Sequence, residues 1–284
     1  MSWETLRASL ELALRSPGDP TAVHFLGGEP LLQLPLIQEA LLYLDRSHGG
    51  ARGLNFGLTT NGMLLDPATA ALLEKHGFRV RLSFDGVAAA QDDRAPGTFA
   101  RLDALLDHLR EHRPELFHNL LTVTLTLLPR TVRLLPDSIE YFLGKDVRRI
   151  AIGPGLASDS EWDPVLAEEL ETAFGRVYDI CRRHRRRTGR VPVLWFRRWR
   201  GERPPPAPGP ICLAGSGESV TVDTDGRLFG CVMFATSYQD LGHSPLHERL
   251  PALGLGSIHE PGLADLLAAY PAAARRTGLF HQKE

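Results

Sequence analysis

Cysteine is scarce in this chain, and the first 180 residues contain none. The 284 residues include only three cysteines, Cys181, Cys212 and Cys231. So few thiols exclude the dense disulfide framework of a small secreted domain, and this sparse use suits a reducing compartment. We therefore expect a cytoplasmic protein.

Long apolar runs and an excess of one charge are also absent. No stretch reaches the roughly 18 apolar residues that a membrane-spanning helix needs. The first 19 residues carry early acids and lack a separate apolar core with a cleavage site, so they predict an amphipathic helix and no signal peptide. Lys and Arg number 32 against 34 Asp and Glu, a formal net charge of -2. This balance gives no global electrostatic reason to expect binding to nucleic acid or to an anionic membrane.

Apolar extended runs alternate with helical stretches from residue 21 to about residue 193. Hydrophobic residues make up 43% of the chain, as in an ordinary globular protein. The predicted strands cover 21–26, 54–60, 78–84, 120–128 and 148–153. Helices of about 10–15 residues separate them, which is typical of βαβ units around a parallel sheet. The sequence therefore predicts an α/β fold.

Three successive predicted strands end in small or polar residues. The first is followed by GGEP (27–30), the second ends in TNG (60–62) and the third in SFDG (83–86). Ligands of barrels and open α/β sheets bind at the carboxyl ends of the strands. Each segment alone could simply form a strand-to-helix turn. All three together predict one shared site.

A Pro- and Gly-rich stretch at 201–210 marks a boundary, because it suits neither a helix interior nor a central strand. Beyond it, two short β runs within 219–234 are joined by Asp225-Gly226, a strong hairpin signal. A helix is predicted over 262–276. We therefore predict an α/β body at 1–200, a linker at 201–210 and a small hairpin-plus-helix module at 211–284.

Several segments, taken in order, resemble the radical S-adenosylmethionine (SAM) superfamily. They are HFLGGEPLL (24–32), LTTNGMLL (58–65), RLSFDG (81–86) and DDRAPGTF (92–99). The segment 212–234, with a cysteine, a hairpin and a second cysteine, resembles the opening of a SPASM or shorter twitch module. The chain is thus similar to the branch that includes anaerobic sulfatase maturases and enzymes that modify ribosomally made peptides. GGEP alone would be a weak signal, so the order and the intervals carry the resemblance.

The resemblance implies a partial (β/α) barrel that holds SAM across the C-terminal ends of its strands. It implies a peptide or protein substrate, such as a precursor with a leader peptide. The GGEP residues match the motif that receives the methionyl amino group, and Ser83 matches the position that contacts the ribose. Arg94 lies in an Asp-Arg loop with a role either in substrate binding or in the fold. The residues expected at the cofactor are Gly27, Gly28, Glu29, Asn61, Ser83 and Asp85.

The resemblance is incomplete at both ends of the chain. Members of the family carry a CxxxCxxC loop, whose three thiolates hold the 4Fe-4S cluster that cleaves SAM. In those proteins the loop comes before the part that corresponds to the first residues of this chain. A full SPASM module also adds cysteines after the last helix. Cys212 and Cys231 are candidate ligands of an auxiliary cluster. A pair of buried thiols is the favoured alternative, because two thiolates alone rarely suffice.

Two interpretations of these absences stay open. The chain is either a truncated form of a complete radical SAM enzyme, or a degenerate cluster-free relative that serves as a SAM- or peptide-binding scaffold. The missing first barrel strand favours truncation, because its loss would leave an open parallel edge exposed. As printed, the residues do not supply the family's initiating step.

An arginine-rich stretch lies at the end of the α/β body. Ten arginines lie at 182–203, together with Trp195, Phe196 and Trp199. Basic residues with interleaved aromatic side chains can bind nucleic acid. The stretch also fits the solvated end of a helix that begins near Asp163, where cations suit the helix dipole. We favour the interpretation as a helix end. If the stretch binds a partner, we expect an acidic leader peptide rather than nucleic acid.

Overall fold

Two compact units make up the chain in this computed structural model, which describes residues 1–16, 20–50, 53–155, 164–197, 219–238 and 254–263. The first unit comprises Met1–Val23, Leu34–Leu54 and Pro204–Glu284, and the second comprises His24–Gln33 and Asn55–Arg203. Among the helices in the described ranges, none has the length and apolarity to cross a membrane.

A five-stranded sheet with the order β1-β2-β3-β4-β5 confirms the predicted α/β class. Each of the strands β2 to β5 runs parallel to its neighbour in the sheet. All five overlap the predicted strands. Their bounds are Thr21–Phe25 for β1, Leu54–Thr60 for β2, Arg79–Ser83 for β3, Leu121–Leu127 for β4 and Ile150–Pro154 for β5.

The described helices follow the expected alternation. The Ser2 side chain caps the first helix at the backbone N–H of Thr5, and Asp66 caps the third at Thr69. The helices are α1 Trp3–Arg15, α2 Leu34–His48, α3 Pro67–Lys75, α4 Ala88–Arg94, α5 Phe99–His112, α6 Leu135–Gly144, α7 Pro164–Thr188 and α8 Leu194–Arg197. Short 3₁₀ segments at Pro30–Gln33 and Pro129–Leu134 precede α2 and α6, and a π turn at Leu116–Leu120 precedes β4.

The two faces of the sheet differ in polarity. In β4 the leucines and Val123 are buried, while the alternate residues Thr122, Thr124 and Thr126 are half-buried. β3 repeats this pattern with buried Val80 and Leu82 against Arg79, Arg81 and Ser83. In-register partners point to the same side of a sheet, and Arg81 pairs with Thr122 and Ser83 with Thr124. We call the side with these arginine, serine and threonine residues the polar face.

Residues 219–238 and 254–263 form a small antiparallel sheet in the first unit. Strand β6 (Thr221–Val222) pairs with β7 (Arg227–Phe229) across the Asp225-Gly226 turn, so the predicted hairpin is confirmed. A third strand, β8 (Gly254–Ser257), joins β7 and was not predicted. Buried Asp223 accepts hydrogen bonds from the N–H groups of Thr224, at 2.7 Å, and Ser237, at 3.1 Å. The predicted linker lies outside the described residues, and so does nearly all of the predicted C-terminal helix.

Candidate functional site

The carboxylate of Glu29 is fixed at the C-terminal ends of β1 and β2. Its Oε1 accepts hydrogen bonds from the Thr60 hydroxyl at 2.8 Å and from the Leu31 N–H at 3.1 Å. Its Oε2 accepts one from the Asn61 N–H at 2.8 Å. An ionised carboxylate can accept about four hydrogen bonds. Glu29 is therefore oriented by the protein and keeps acceptor capacity for a cationic donor.

Thr60 is a positioning residue that the sequence analysis did not single out. It is 2% exposed, and its hydroxyl donates to Glu29 while accepting a hydrogen bond from the Gly62 N–H at 3.0 Å. The neighbouring Asn61 accepts a hydrogen bond from the Met63 N–H at 2.9 Å through its side chain, which tightens the same turn. A threonine directly before Asn-Gly at a strand end was the available signal.

Open space borders the two glycines that precede Glu29. A Cβ atom added at Gly27 or at Gly28 would meet no other heavy atom within 4 Å. Both glycines are exposed. The backbone beside the fixed carboxylate is thus accessible to a ligand.

Ser83 lies beside this edge, at the end of β3. The register pairs it with Thr124, and Thr60 of β2 pairs with Leu82. Neither the Ser83 hydroxyl nor the buried Thr124 Oγ1 has a hydrogen-bond partner in the part of the chain that the structure describes. A buried hydroxyl without a partner is costly, so these two groups mark a surface with unused hydrogen-bonding capacity.

Asp85 connects three elements. It is 4% exposed, and its carboxylate accepts hydrogen bonds from Arg94 on α4 and, at 2.7 Å, from the Thr126 N–H on β4. Its own N–H donates to the Gln91 side chain at 3.0 Å. Arg94 also hydrogen-bonds the Thr126 hydroxyl. Arg94 ends helix α4, so the expected Asp-Arg loop is a helix here. This helix and the SFDG segment form one hydrogen-bonded cluster, and the expected role of Asp85 at the cofactor stays a prediction.

The polar face also holds a neutral histidine. His24 Nε2 lies 2.7 Å from the Thr59 hydroxyl on β2. Burial, and secondarily the charge of Arg81, lower the pKa of His24 to about 4. Protonation would place a second cation beside Arg81, so His24 stays uncharged near neutral pH.

The cysteines do not form a recognisable metal centre within the described residues. Cys181 is buried in α7, Cys231 is half-buried after β7, and Cys212 lies outside the described residues. The described ranges contain no group of three or more His, Cys, Asp or Glu side chains placed to hold a metal ion. A 4Fe-4S cluster is normally held by three or four thiolates, so the residues that the structure describes do not fit one. The auxiliary-cluster role of Cys212 and Cys231 stays a prediction.

Comparison with known proteins agrees with this geometry. The profile of the radical SAM superfamily matches residues 1–141, which include the GGEP, TTNG and SFDG segments. Native anSMEcpe with bound AdoMet matches with a TM-score of 0.72 at 18% identity, over 97% of this chain and 73% of that one. The form of anSMEcpe with bound AdoMet and Cp18Cys peptide matches with a TM-score of 0.73 at 18% identity, over 100% of this chain and 77% of that one.

A third structure shares the fold over most of the chain. Streptococcus suis SuiB bound to S-adenosylmethionine matches with a TM-score of 0.60 at 11% identity, over 96% of this chain and 59% of that one. These likenesses confirm the predicted partial-barrel α/β architecture. The profile match alone bears on the family, and over residues 1–141 it agrees with the radical SAM resemblance of the sequence.

Proposed function

We propose that this chain is the body of a radical SAM enzyme that modifies a peptide or protein side chain by hydrogen abstraction. The observation that supports this most is the Glu29 carboxylate, which Thr60 and Asn61 orient while one acceptor position stays available. SAM is a cation-bearing ligand with an ammonium, a carboxylate and a ribose. The C-terminal edge of the sheet offers a matching set of groups.

Each group at this edge has a proposed role in binding SAM. Glu29 accepts a charge-assisted hydrogen bond from the methionyl ammonium, which is stronger than a neutral one. The open backbone at Gly27 and Gly28 allows the amino acid part to approach closely. The Ser83 hydroxyl donates to the ribose, and Asn61 borders the same space. Asp85 acts indirectly, because its bonds to Arg94 and Thr126 fix the strand end that carries Ser83.

SAM, when bound in a complete enzyme of this family, would accept one electron from the family's 4Fe-4S cluster and break into methionine and the 5'-deoxyadenosyl radical, which would remove a hydrogen atom from the substrate. The residues of this chain orient the cofactor and the substrate around that reaction. The sequence has no cysteine before Cys181, and the described residues hold no group of three metal-binding side chains for the primary 4Fe-4S cluster. No step is therefore assigned to a cluster on these residues.

A peptide substrate is part of the proposal. One of the similar structures is anSMEcpe with a bound Cp18Cys peptide, and the fold match covers the whole of this chain. The polar face of the sheet is lined by hydroxyl and guanidinium groups, which suit a polar chain more than an apolar small molecule. A precursor that carries a leader peptide is the form of substrate we propose.

Calorimetric titration of the purified chain with SAM tests the Glu29 assignment. We expect measurable binding by the intact chain and a 10- to 100-fold weaker affinity for Glu29→Gln, because a hydrogen bond to a charged group contributes about 1.5–3 kcal/mol. Glu74→Gln is the matched control, since Glu74 also accepts a backbone N–H, that of Leu116 at 2.9 Å, away from the edge. An intact chain that does not bind SAM, or equal losses in both variants, would overturn the proposal.

The cluster-free scaffold remains the second candidate, because the first 180 residues contain no cysteine. The intact mass of the native protein, purified anaerobically from its source cells, separates the two candidates. A mass well above 31.3 kDa, with peptides that contain CxxxCxxC, supports the enzyme. A mass of 31.3 kDa, together with SAM binding that depends on Glu29, supports a SAM-binding scaffold.

A further inference from the structure

Two arginines on the central strand of the sheet form no ion pair with any residue that the structure describes. Arg79 and Arg81 are exposed on the polar face of β3. Their in-register neighbours are Gly57 and Thr59 on β2. On β4, Thr122 is the neighbour of Arg81. None of the strand residues on the polar face in β2 to β5 is acidic; these residues are Asn55, Gly57, Thr59, Arg79, Arg81, Ser83, Thr122, Thr124, Thr126, Ala151 and Gly153.

Other arginines of the same unit are paired with carboxylates. Arg94 is bound to Asp85, Arg113 to Glu74 and Arg133 to Glu169. Arg79 and Arg81 make neither an ion pair nor a side-chain hydrogen bond within the described ranges of the chain. Guanidinium groups that a protein holds on one face without a counter-charge attract an anionic ligand.

Independent observations point to the same surface. The buried Thr124 Oγ1 lacks a partner in the described part of the chain, and the half-buried Ser83 lies in register beside it. The charge of Arg81 also contributes to the low pKa of His24, so the positive potential reaches the neighbouring strands. The hydroxyl residues Thr59 and Thr122 therefore lie in register beside Arg81, and Ser83 and Thr124 follow next along the same face.

We propose that Arg79 and Arg81 bind a carboxylate of the peptide substrate on the polar face. The substrate class, a peptide, rests on the proposed function, whereas the carboxylate preference rests on these side chains. A planar guanidinium matches a carboxylate through two parallel hydrogen bonds. A strand advances about 3.3 Å per residue, so Arg81 lies roughly 7 Å along β3 from Ser83. The carboxylate thus binds one subsite further into the sheet than the proposed SAM edge.

Three synthetic pentapeptides test the proposal with the full chain. The first is an N-acetylated amide with one central glutamate among alanines, and the second replaces the glutamate by glutamine. The third is the glutamine peptide with a free C-terminal carboxylate. Binding is followed by calorimetry and by the NMR signals of the His24 ring, which the spectrum of His24→Gln identifies.

We expect one of the two carboxylate peptides to bind at least tenfold more tightly than the glutamine amide. The glutamate amide identifies an acidic side chain as the anchor, and the free-acid peptide identifies a C-terminus. Binding should raise the pKa of His24, because the bound anion offsets the charge of Arg81. Arg81→Gln should lower the affinity for the preferred peptide at least tenfold. Arg185 is an exposed arginine of α7, and Arg185→Gln should change this affinity less than twofold.

Several results would overturn the carboxylate subsite. Equal affinity for all three peptides, or no binding of any peptide, would do so. Equal losses of peptide affinity in Arg81→Gln and Arg185→Gln would also do so. The same holds if inorganic phosphate displaces the peptide at the same concentration as acetate does. SAM affinity is measured separately through Glu29→Gln. Peptide binding that persists without SAM binding therefore contradicts only the proposed function, and the reverse result contradicts only this inference.

Discussion

Arg94 binds the carboxylate of Asp85 at two points, Nε to Oδ2 at 2.7 Å and Nη2 to Oδ1 at 3.0 Å. The side chain of Asp85 is 6% exposed and that of Arg94 is 29% exposed. Thr126 completes the arrangement by donating its N–H to the same carboxylate at 2.7 Å. Two segments that the sequence analysis treated separately therefore stabilise each other and the ends of β3 and β4.

Arg94→Ala should lower the free energy of unfolding by about 2–4 kcal/mol, because it leaves a buried carboxylate without its counter-charge. Urea denaturation at pH 7 measures the change. The control is Arg110→Ala, whose partner Asp107 and own side chain are both 42% exposed. An exposed pair contributes under about 1 kcal/mol. Similar losses in the two variants would contradict a structural role for the Asp85–Arg94 pair.

The SFDG segment requires a glycine at residue 86 for two reasons, its backbone conformation and the lack of room for a side chain. Gly86 has a φ of +102°, and an added Cβ would lie 2.3 Å from Ser138 Cβ and 2.8 Å from Ser138 Cα. Gly86→Ala should therefore lower the free energy of unfolding by about 3 kcal/mol or more. Chemical denaturation checks this change.

Gly175→Ala is the matched control for this glycine. Gly175 lies inside α7, and a Cβ there would meet no atom within 4 Å. The exchange should stabilise the protein by about 0.5–1 kcal/mol, because alanine is the better helix former. Ser138→Gly removes the Ser138 side chain but leaves the φ of residue 86 positive. If it restores Gly86→Ala to the stability of the parent, the argument that the positive φ also disfavours alanine fails.

Acid should destabilise the protein partly through His24. Burial and the charge of Arg81 lower the pKa of His24 to about 4, from its usual 6.5. Between pH 6.5 and about 4, the unfolded chain therefore binds a proton at His24 that the folded chain does not bind. This contribution to stability is complete above pH 6.5 and is lost as the pH falls towards 4. Allowing for the partly exposed ring, we expect a loss of about 1 kcal/mol between pH 7 and pH 5.

His24→Gln isolates this effect. The variant retains the other histidines with a lowered pKa, His118 and His184, so their contributions cancel in the comparison. The groups on β2 and β3 that face His24 are Thr59, Gly57 and Arg81. Urea denaturation at pH 7 and pH 5 should give a smaller pH dependence for the variant than for the parent. Identical pH dependence would show that His24 is not kept neutral by its surroundings.

Much of the fold could be predicted from the sequence because its elements have strong local patterns. The alternation of buried leucine or valine with threonine in β4 identifies a strand with one polar face. Asp225-Gly226 likewise identifies the hairpin. Helix α4 (Ala88–Arg94) and strand β8 were missed. α4 is only seven residues long and is fixed by contacts of Gln91 and Arg94 with Asp85, which no periodicity shows.

The candidate site was predictable only in part. Glu29 and Asn61 entered through their resemblance to family motifs, and the structure places them in contact although 32 residues separate them. Thr60 orients the same carboxylate, and although its place directly before Asn-Gly is a signal, its bond to Glu29 depends on how the strand ends lie together. The absence of an ion pair at Arg79 and Arg81 among the described residues depends on the strand register, which decides which residues share the polar face with them. A single sequence does not reveal that register.

Cys181 should be chemically inert in the folded protein. It lies in α7 and is 3% exposed, and burial raises its pKa to about 11. Its thiolate fraction at pH 8 is then roughly a hundredfold below that of an unperturbed cysteine. Alkylation by iodoacetamide, followed by peptide mass spectrometry, should be at least about a hundredfold slower in the native chain than in urea. Fast native labelling of Cys181 would mean that α7 opens readily. Slow labelling leaves Cys212 and Cys231 as the thiols of this chain that remain candidates for an iron–sulfur cluster.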